Sequence, residues 1–447
     1  MGDRMAIFSS LSRQQKEAVG LLQIGTFLEY FDLMLYVHMA VLLNELFFPK
    51  TDPHTASLLA ALAFCSTYVL RPFTALIFGW IGDNIGRKAT VIITSAMMSL
   101  SCIFMATLPT YAQIGISASW VITICRVVQG ISSMGEIIGA EIYLTEITKP
   151  PAQYPVVSLI AVCSVFGGMC ALLVAYYVLM TNANWRIAFW IGASIAIFGS
   201  VARTKLRETK EFLDAKEAKL KKNNQVYVEK KSAETKKTLV AYFLIFCPWP
   251  LFFYLSYIYC GSLLKDQFGF TSEQVIKQNL LVTLVDFITV ITIAFLSYKI
   301  FPLKLLKIRS AANLVFAALL PYALVSAQSP HLIFVIQVLA LVCGLSPMPG
   351  FAIFYTHLPI LKRFTYGTFL FAINRAIMYV VTSFGLIYIT KYLGYYGLWL
   401  LMLPLAVGFA WGVRHFEKLE NQKQPQVHTP HPLSTKPNEF KLTAIKS

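Results

Sequence analysis

The sequence predicts an all-α membrane protein, with twelve transmembrane helices arranged as two six-helix bundles. Three observations lead there. Of 447 residues, 57% are hydrophobic and only 13% charged, with a mean hydropathy of +0.62, outside the range of soluble globular chains. Apolar runs of roughly 20 residues, each long enough to cross a ~30 Å hydrocarbon core as a helix, recur twelve times. A polar, basic stretch separates the sixth run from the seventh, the pattern left by two related bundles around a cavity near the bilayer midplane.

In chain order the runs occupy 18–46, 56–80, 88–108, 114–144, 155–181, 186–203, 239–264, 276–297, 309–327, 331–356, 366–390 and 395–413. Helices rather than barrel strands follow from run length, because a stretch such as "VITICRVVQGISSMGEIIGAEIYL" shows no two-residue alternation. The domain reading is an N-terminal segment 1–17, a first bundle 18–203, a basic connection 204–238, a second bundle 239–413 and a tail 414–447. The tail is few in apolar residues and holds Pro425, Pro430, Pro432 and Pro437, so disorder is expected there. The first twenty residues hold no short apolar core followed by a small-residue cleavage site, so the first helix is expected to stay.

The connections set the orientation. With the N-terminus inside, the inner connections hold Arg87, Lys88, Lys149, Lys299, Lys304, Lys307, Arg309, Lys362 and Arg363; the outer ones hold Lys50, Arg186, Lys265, Lys277 and Lys391. Residues 203–237 add twelve Lys and Arg against six Asp and Glu, which places both termini in the cytoplasm. Much of the net charge of +16 is thereby explained by topology, and no nucleic-acid partner is expected. The eight cysteines lie inside apolar runs without CxxC or Cys/His spacing, as small core hydrophobes, so neither a disulfide framework nor a metal site is expected. Without a P-loop, GxSxG or HExxH, the chain reads as neither an enzyme nor a user of ATP.

The charges that composition makes rare are concentrated. In "GWIGDNIGRK", residues 79–88, Gly79, Gly82 and Gly86 permit close packing and a sharp turn between two helices. Asp83 is expected to accept from Arg87 or from the start of the next helix, while Arg87 and Lys88 face water and headgroups. The second-half counterpart, 296–309, keeps basic residues but has neither an Asp nor a Gly-Arg pair.

Ionisable residues inside the apolar runs cost at least ~2.5 kcal/mol each near a helix centre and so line cavities or pair with one another. Glu29 and Asp32 share a helix face, with Tyr36 a turn further on; Arg71 and Arg126 are their natural partners, and Glu136 lies on the same run as Arg126. Glu141 and Glu146, nearer the end of that run, are assigned to the charges of residues 79–88. In the second half Asp286, Arg375 and the neighbouring Asn374 face the same cavity from the other side. Pro248 and Pro250 around Trp249, and Pro347 and Pro349 with Gly344 and Gly350, interrupt two runs and mark hinges or gates.

The pattern Gly79, Asp83, Gly86, Arg87, Lys88 resembles the signature loop between helices 2 and 3 of the major facilitator superfamily. The stretches "EYFDLMLY" (29–36), "RPFTALIFGWIGDNIGRK" (71–88), "RVVQGISSMGEIIGAEIYLTE" (126–146) and "NWRIAFWIGASIAIFGSVARTKLRETKEF" (184–212) resemble its metabolite:proton symporter branch, which includes proline/betaine, α-ketoglutarate, citrate and shikimate transporters. The likeness is specific over 20–212 and weak after 240, although "FLFAINRA" (369–376) resembles the helix 11 region.

The resemblance implies the major facilitator fold, a monomer in the bacterial inner membrane, and proton-coupled symport of a small organic acid or zwitterion by alternating access. It also implies a loop that latches one state, a proton as coupling ion and no other cofactor. The other readings are a non-transporting sensor or receptor on the same scaffold, for which the decayed second loop speaks, and an uncoupled facilitator.

Overall fold

The computed structural model describes residues 10–48, 70–181, 184–221 and 232–423, and these are helices joined by short connections, with no strand among them. The first half runs α1 Arg13–Phe47, α2 Arg71–Asn84, α3 Arg87–Thr107, α4 Ile116–Ile147, α5 Gln153–Thr181 and α6 Arg186–Arg203. A connecting helix Lys210–Lys221 follows. The second half begins with α7, built in pieces: Ser232–Phe246, Pro248–Phe253, a π-helical turn Tyr254–Tyr259, and Cys260–Phe268. It continues as α8 Ser272–Lys299, α9 Pro302–Val325, α10 Pro330–Val342 with a short helix Phe351–Thr356 after a break, α11 Arg363–Leu393 and α12 Trp399–Lys423. Among the described residues nine helices are long and apolar enough to cross a membrane; α2, α6 and the broken α10 stand in the other three predicted positions. The beginning of the predicted run 56–80 lies outside the described residues.

Local chemistry sets the ends. Ser12 and Gln15 form a reciprocal capping box at the start of α1, with Ser12 N donating to Gln15 Oε1 at 2.8 Å and Gln15 N to Ser12 Oγ at 3.2 Å. Thr271 and Gln274 do the same for α8. Pro302 sits at the first turn of α9, where its missing N–H costs nothing, so α9 starts seven residues before the predicted 309. Lys304, Lys307 and Arg309, expected in a connection, are therefore helical.

Two further boundaries differ from expectation. The connection 204–238 is not all loop, because "KEFLDAKEAKLK" contains no helix breaker and forms the connecting helix. The tail is helical to Lys423, ten residues past the predicted end at 413: nothing breaks the helix before Pro425, and Phe416 is fully buried against Phe354 at 4.7 Å between ring centroids.

Two helix pairs join the halves, α2 along α11 and α5 along α8. Phe166 and Phe287 stack at 5.3 Å in the second pair. The largest buried apolar cluster runs through both halves, from Ile138 and Ile142 on α4 to Tyr242, Phe246, Phe354 and Phe364. A separate cluster at the opposite end, including Leu35, Met39, Phe47, Trp185 and Phe189, belongs to the first half alone. The two halves are thus cemented together at the end that carries residues 79–88.

Candidate functional site

The signature loop is a buried ion network. Arg87 has no solvent exposure. Its Nη1 donates to Gly82 O at 2.6 Å and meets Asp83 Oδ1 at 3.3 Å; its Nη2 donates to Glu146 Oε1 at 3.1 Å and to Ile360 O at 2.9 Å. The guanidinium lies 4.2 Å over the ring of Phe212 on the connecting helix. Arg87 was expected to face water. It is instead enclosed, because a planar guanidinium can satisfy carbonyls and carboxylates from three chain segments at once.

Asp83 caps the other half. Its Oδ1 accepts from Phe364 N at 3.1 Å and its Oδ2 from Thr365 N at 2.8 Å, so the carboxylate occupies the positive end of α11. The cap expected on the next helix, α3, comes from Glu208, which accepts from the backbone N–H of both Arg87 and Lys88 at 3.1 Å. Gly86, at φ 154°, makes room: a Cβ there would lie 2.1 Å from Glu208 Oε2. A Cβ on Gly79 would lie 2.7 Å from Thr365 Cα, and one on Gly82 2.5 Å from the Phe364 ring. Glu146 also meets Arg363 at 3.0 Å and accepts from Thr209 Oγ1 at 2.6 Å, so it serves the signature-loop charges as expected.

Away from the loop, the sequence-predicted charges form two groups. On α1 and α4, Arg126 Nη1 donates to Gln129 Oε1 at 2.8 Å, and Gln129 Nε2 donates to Asp32 Oδ2. Asp32 and Gln129 are 2% exposed and Arg126 8%. The expected Asp32–Arg126 partnership is therefore real but relayed through Gln129, and two buried opposite charges share one neutral spacer.

The second group gathers around Tyr30, which feels the charges of Glu29, Arg71, Glu141 and Arg375. Glu141, assigned from sequence to the signature loop, sits here instead: Tyr355 Oη donates to its Oε2 at 2.6 Å, and Tyr242 Oη to Tyr355 Oη at 3.3 Å. The side chains of Tyr36 and Glu136 lie outside the described residues.

In the second half the placements diverge. Asn374 is fully buried, but its Nδ2 donates to Phe243 O at 3.0 Å and contacts Cys247 Sγ at 2.9 Å, fastening α11 to α7 where Pro248 and Pro250 interrupt it. Asp286 lies within electrostatic reach of Arg309, not of the Tyr30 group. Arg309 itself donates to Gly344 O at 2.6 Å and Leu341 O at 3.3 Å, and so takes up carbonyls freed by the break around Pro347 and Pro349. Trp249 is half-buried beside the α7 interruption.

Residues 22–381 match the model of the Major Facilitator Superfamily. The chain belongs to this superfamily. The proline/betaine transporter of Escherichia coli (strain K12) is 31% identical over 204 residues, 44% of this chain and 41% of that protein. The citrate-proton symporter of Salmonella typhi is 31% identical over 199 residues, 43% and 46% of the two chains. These alignments span under half the length of the curated relatives. Among solved structures the proton:xylose symporter XylE superposes with a TM-score of 0.71 at 13% identity, covering 91% of this chain and 95% of that one, a likeness of fold. Superfamily membership and the apolar helices make this a multi-pass membrane protein of all-α major facilitator fold.

Against that superfamily fold, sequence reasoning missed Gln129, Glu208, Tyr355 and Gln337. Gln129 was detectable, three residues from Arg126 on one helix face. Gln337 is fully buried and donates to Ser256 O at 2.7 Å and Asn279 Oδ1 at 3.1 Å, taking up a carbonyl of the π-helical turn in α7. No local signal marks it, because its partners lie on other helices.

Proposed function

We propose that this chain is a secondary active transporter that carries a small organic acid or zwitterion together with a proton by alternating access. The observation that carries the reading is the relay Asp32–Gln129–Arg126, a carboxylate and a guanidinium buried in the first half and held apart by one amide. Protonating Asp32 would release Arg126 for a substrate carboxylate, and losing the proton would restore the pair; one site then answers to both proton and anion. Buried charge is expensive in a membrane, so a merely structural protein has little reason to keep this set. A neutral sugar has no use for two arginines, Arg71 and Arg126, near its path.

The basic connections favour an orientation with both termini in the cytoplasm of a bacterial cell, the protein lying in the inner membrane. In that orientation the network of Asp83, Arg87, Glu146 and Arg363 closes the cytoplasmic end, and opening inward requires breaking it. The names of the relatives suggest proline, glycine betaine and citrate as the first compounds to try.

The test is uptake by purified protein in liposomes under an imposed pH gradient, with Asp32→Asn and Arg126→Ala beside it. Gradient-driven accumulation of one compound, lost in both variants, is expected. Accumulation indifferent to the gradient would make the chain an uncoupled facilitator, and no accumulation of any organic acid or zwitterion by folded protein would favour the sensor.

A further inference from the structure

We propose that a groove between the start of α1 and the segment following α6 holds the headgroup of an acidic phospholipid. The groove has a volume of about 740 Å³ and is lined by Arg13, Lys16, Lys205 and Arg207, with Glu17 as the one carboxylate. It lies outside the three charge clusters described above and shares none of their residues.

Its walls are built, not incidental. Gln15 Nε2 donates to Ile147 O at 2.5 Å, which ties the start of α1 to the end of α4. Tyr143 Oη donates to Arg207 O, which ties the facing segment to the same helix, and Leu206 between the two cations is 3% exposed. The cationic side chains therefore converge from two segments that share one anchor, α4.

The ligand must be both anionic and apolar. Arg13, Lys16, Gly20 and Ile24 succeed one another at three- and four-residue spacing and so form one stripe along α1. The stripe changes from cationic to apolar along its length: Ile24, eight residues and ~12 Å beyond Lys16, also lines the groove and is 49% exposed. Between them Gly20 leaves open space, with no atom within 4 Å of where a Cβ would stand. A phosphate at the cationic end with an acyl chain descending past Gly20 and Ile24 matches this sequence of surfaces, as basic pockets at membrane-protein ends hold acidic headgroups. A soluble phosphate would use only the upper part.

The experiment is native mass spectrometry of the detergent-solubilised full chain titrated with phosphatidylglycerol, with phosphatidylcholine and with sn-glycerol 3-phosphate. Saturable retention of phosphatidylglycerol alone is expected. Each basic residue near a membrane surface contributes about fivefold, so the double variant Lys16→Gln, Lys205→Gln should weaken that retention about 25-fold. Gly20→Trp, which keeps every charge but fills the chain path, should weaken it as well. Both changes fall on exposed positions, and an unaltered melting temperature in neutral detergent confirms that the variants are folded. Equal retention of phosphatidylcholine, unchanged retention in both variants, or glycerol phosphate binding as tightly as the lipid would each overturn the proposal.

Discussion

Asp83 accepts a 2.8 Å hydrogen bond from the backbone N–H of Thr365, so a carboxylate from the first half caps a helix of the second. Replacing Asp83 with Asn removes the charge that faces both the α11 terminus and Arg87. The loss of about 1–3 kcal/mol should favour the state open at this end. A cysteine placed at Ile138, which is buried between the halves near Gly367, should then react several-fold faster with a water-soluble thiol reagent. An unchanged rate would mean that the cap does not hold the halves together.

Gly79→Ala should act more severely at the same place. The added methyl would meet Thr365 Cα, a backbone atom that no rotamer change can move, at 2.7 Å. Gly168→Ala meets its nearest neighbour, Met34 Cγ, at an ordinary 3.4 Å and serves as the control. Labelling at residue 138 should rise in the first variant and not in the second.

Gln129→Ala tests the relay. Removing the amide leaves Asp32 and Arg126 without their shared spacer, a loss of about 1–3 kcal/mol, or about 5- to 150-fold in uptake efficiency. Gradient-driven uptake at parental rates would detach the relay from transport.

Gln337→Ala should lower stability without touching the Asp32–Gln129–Arg126 relay or the Tyr30 group. The truncation strands Ser256 O within the π-helical turn and Asn279 Oδ1 beside it, at a cost of about 1–3 kcal/mol. Thermal melting of the purified protein reads this directly, and an unshifted midpoint would show that the π-turn needs no such partner.

Phe416→Ala examines the helix beyond residue 413. A fully buried phenylalanine packed at a tilt against Phe354 is worth about 3–5 kcal/mol on truncation, so the variant should melt well below the parent. A neutral result would mean that this stretch is not packed as described.

The sequence by itself determined the all-α class and the places where proline and glycine interrupt α7 and α10, because apolar run length and the chemistry of proline and glycine act locally. It also marked which charges are unusual: Asp32, Arg126, Asp83 and Arg87 stand out from their apolar surroundings. Only the tertiary structure decided what each charge meets. Asp83 was expected to meet Arg87 or the start of α3; it meets Arg87 and caps α11, while Glu208, 121 residues from Arg87, takes the α3 terminus. Arg309 looked like a topological marker and clamps the break in α10, while Glu141 left the loop network for Tyr355, 214 residues away. A buried charge must find a partner, and that requirement is legible in one dimension. Which partner it finds depends on how helices distant in the chain pack side by side, and no local pattern encodes that choice.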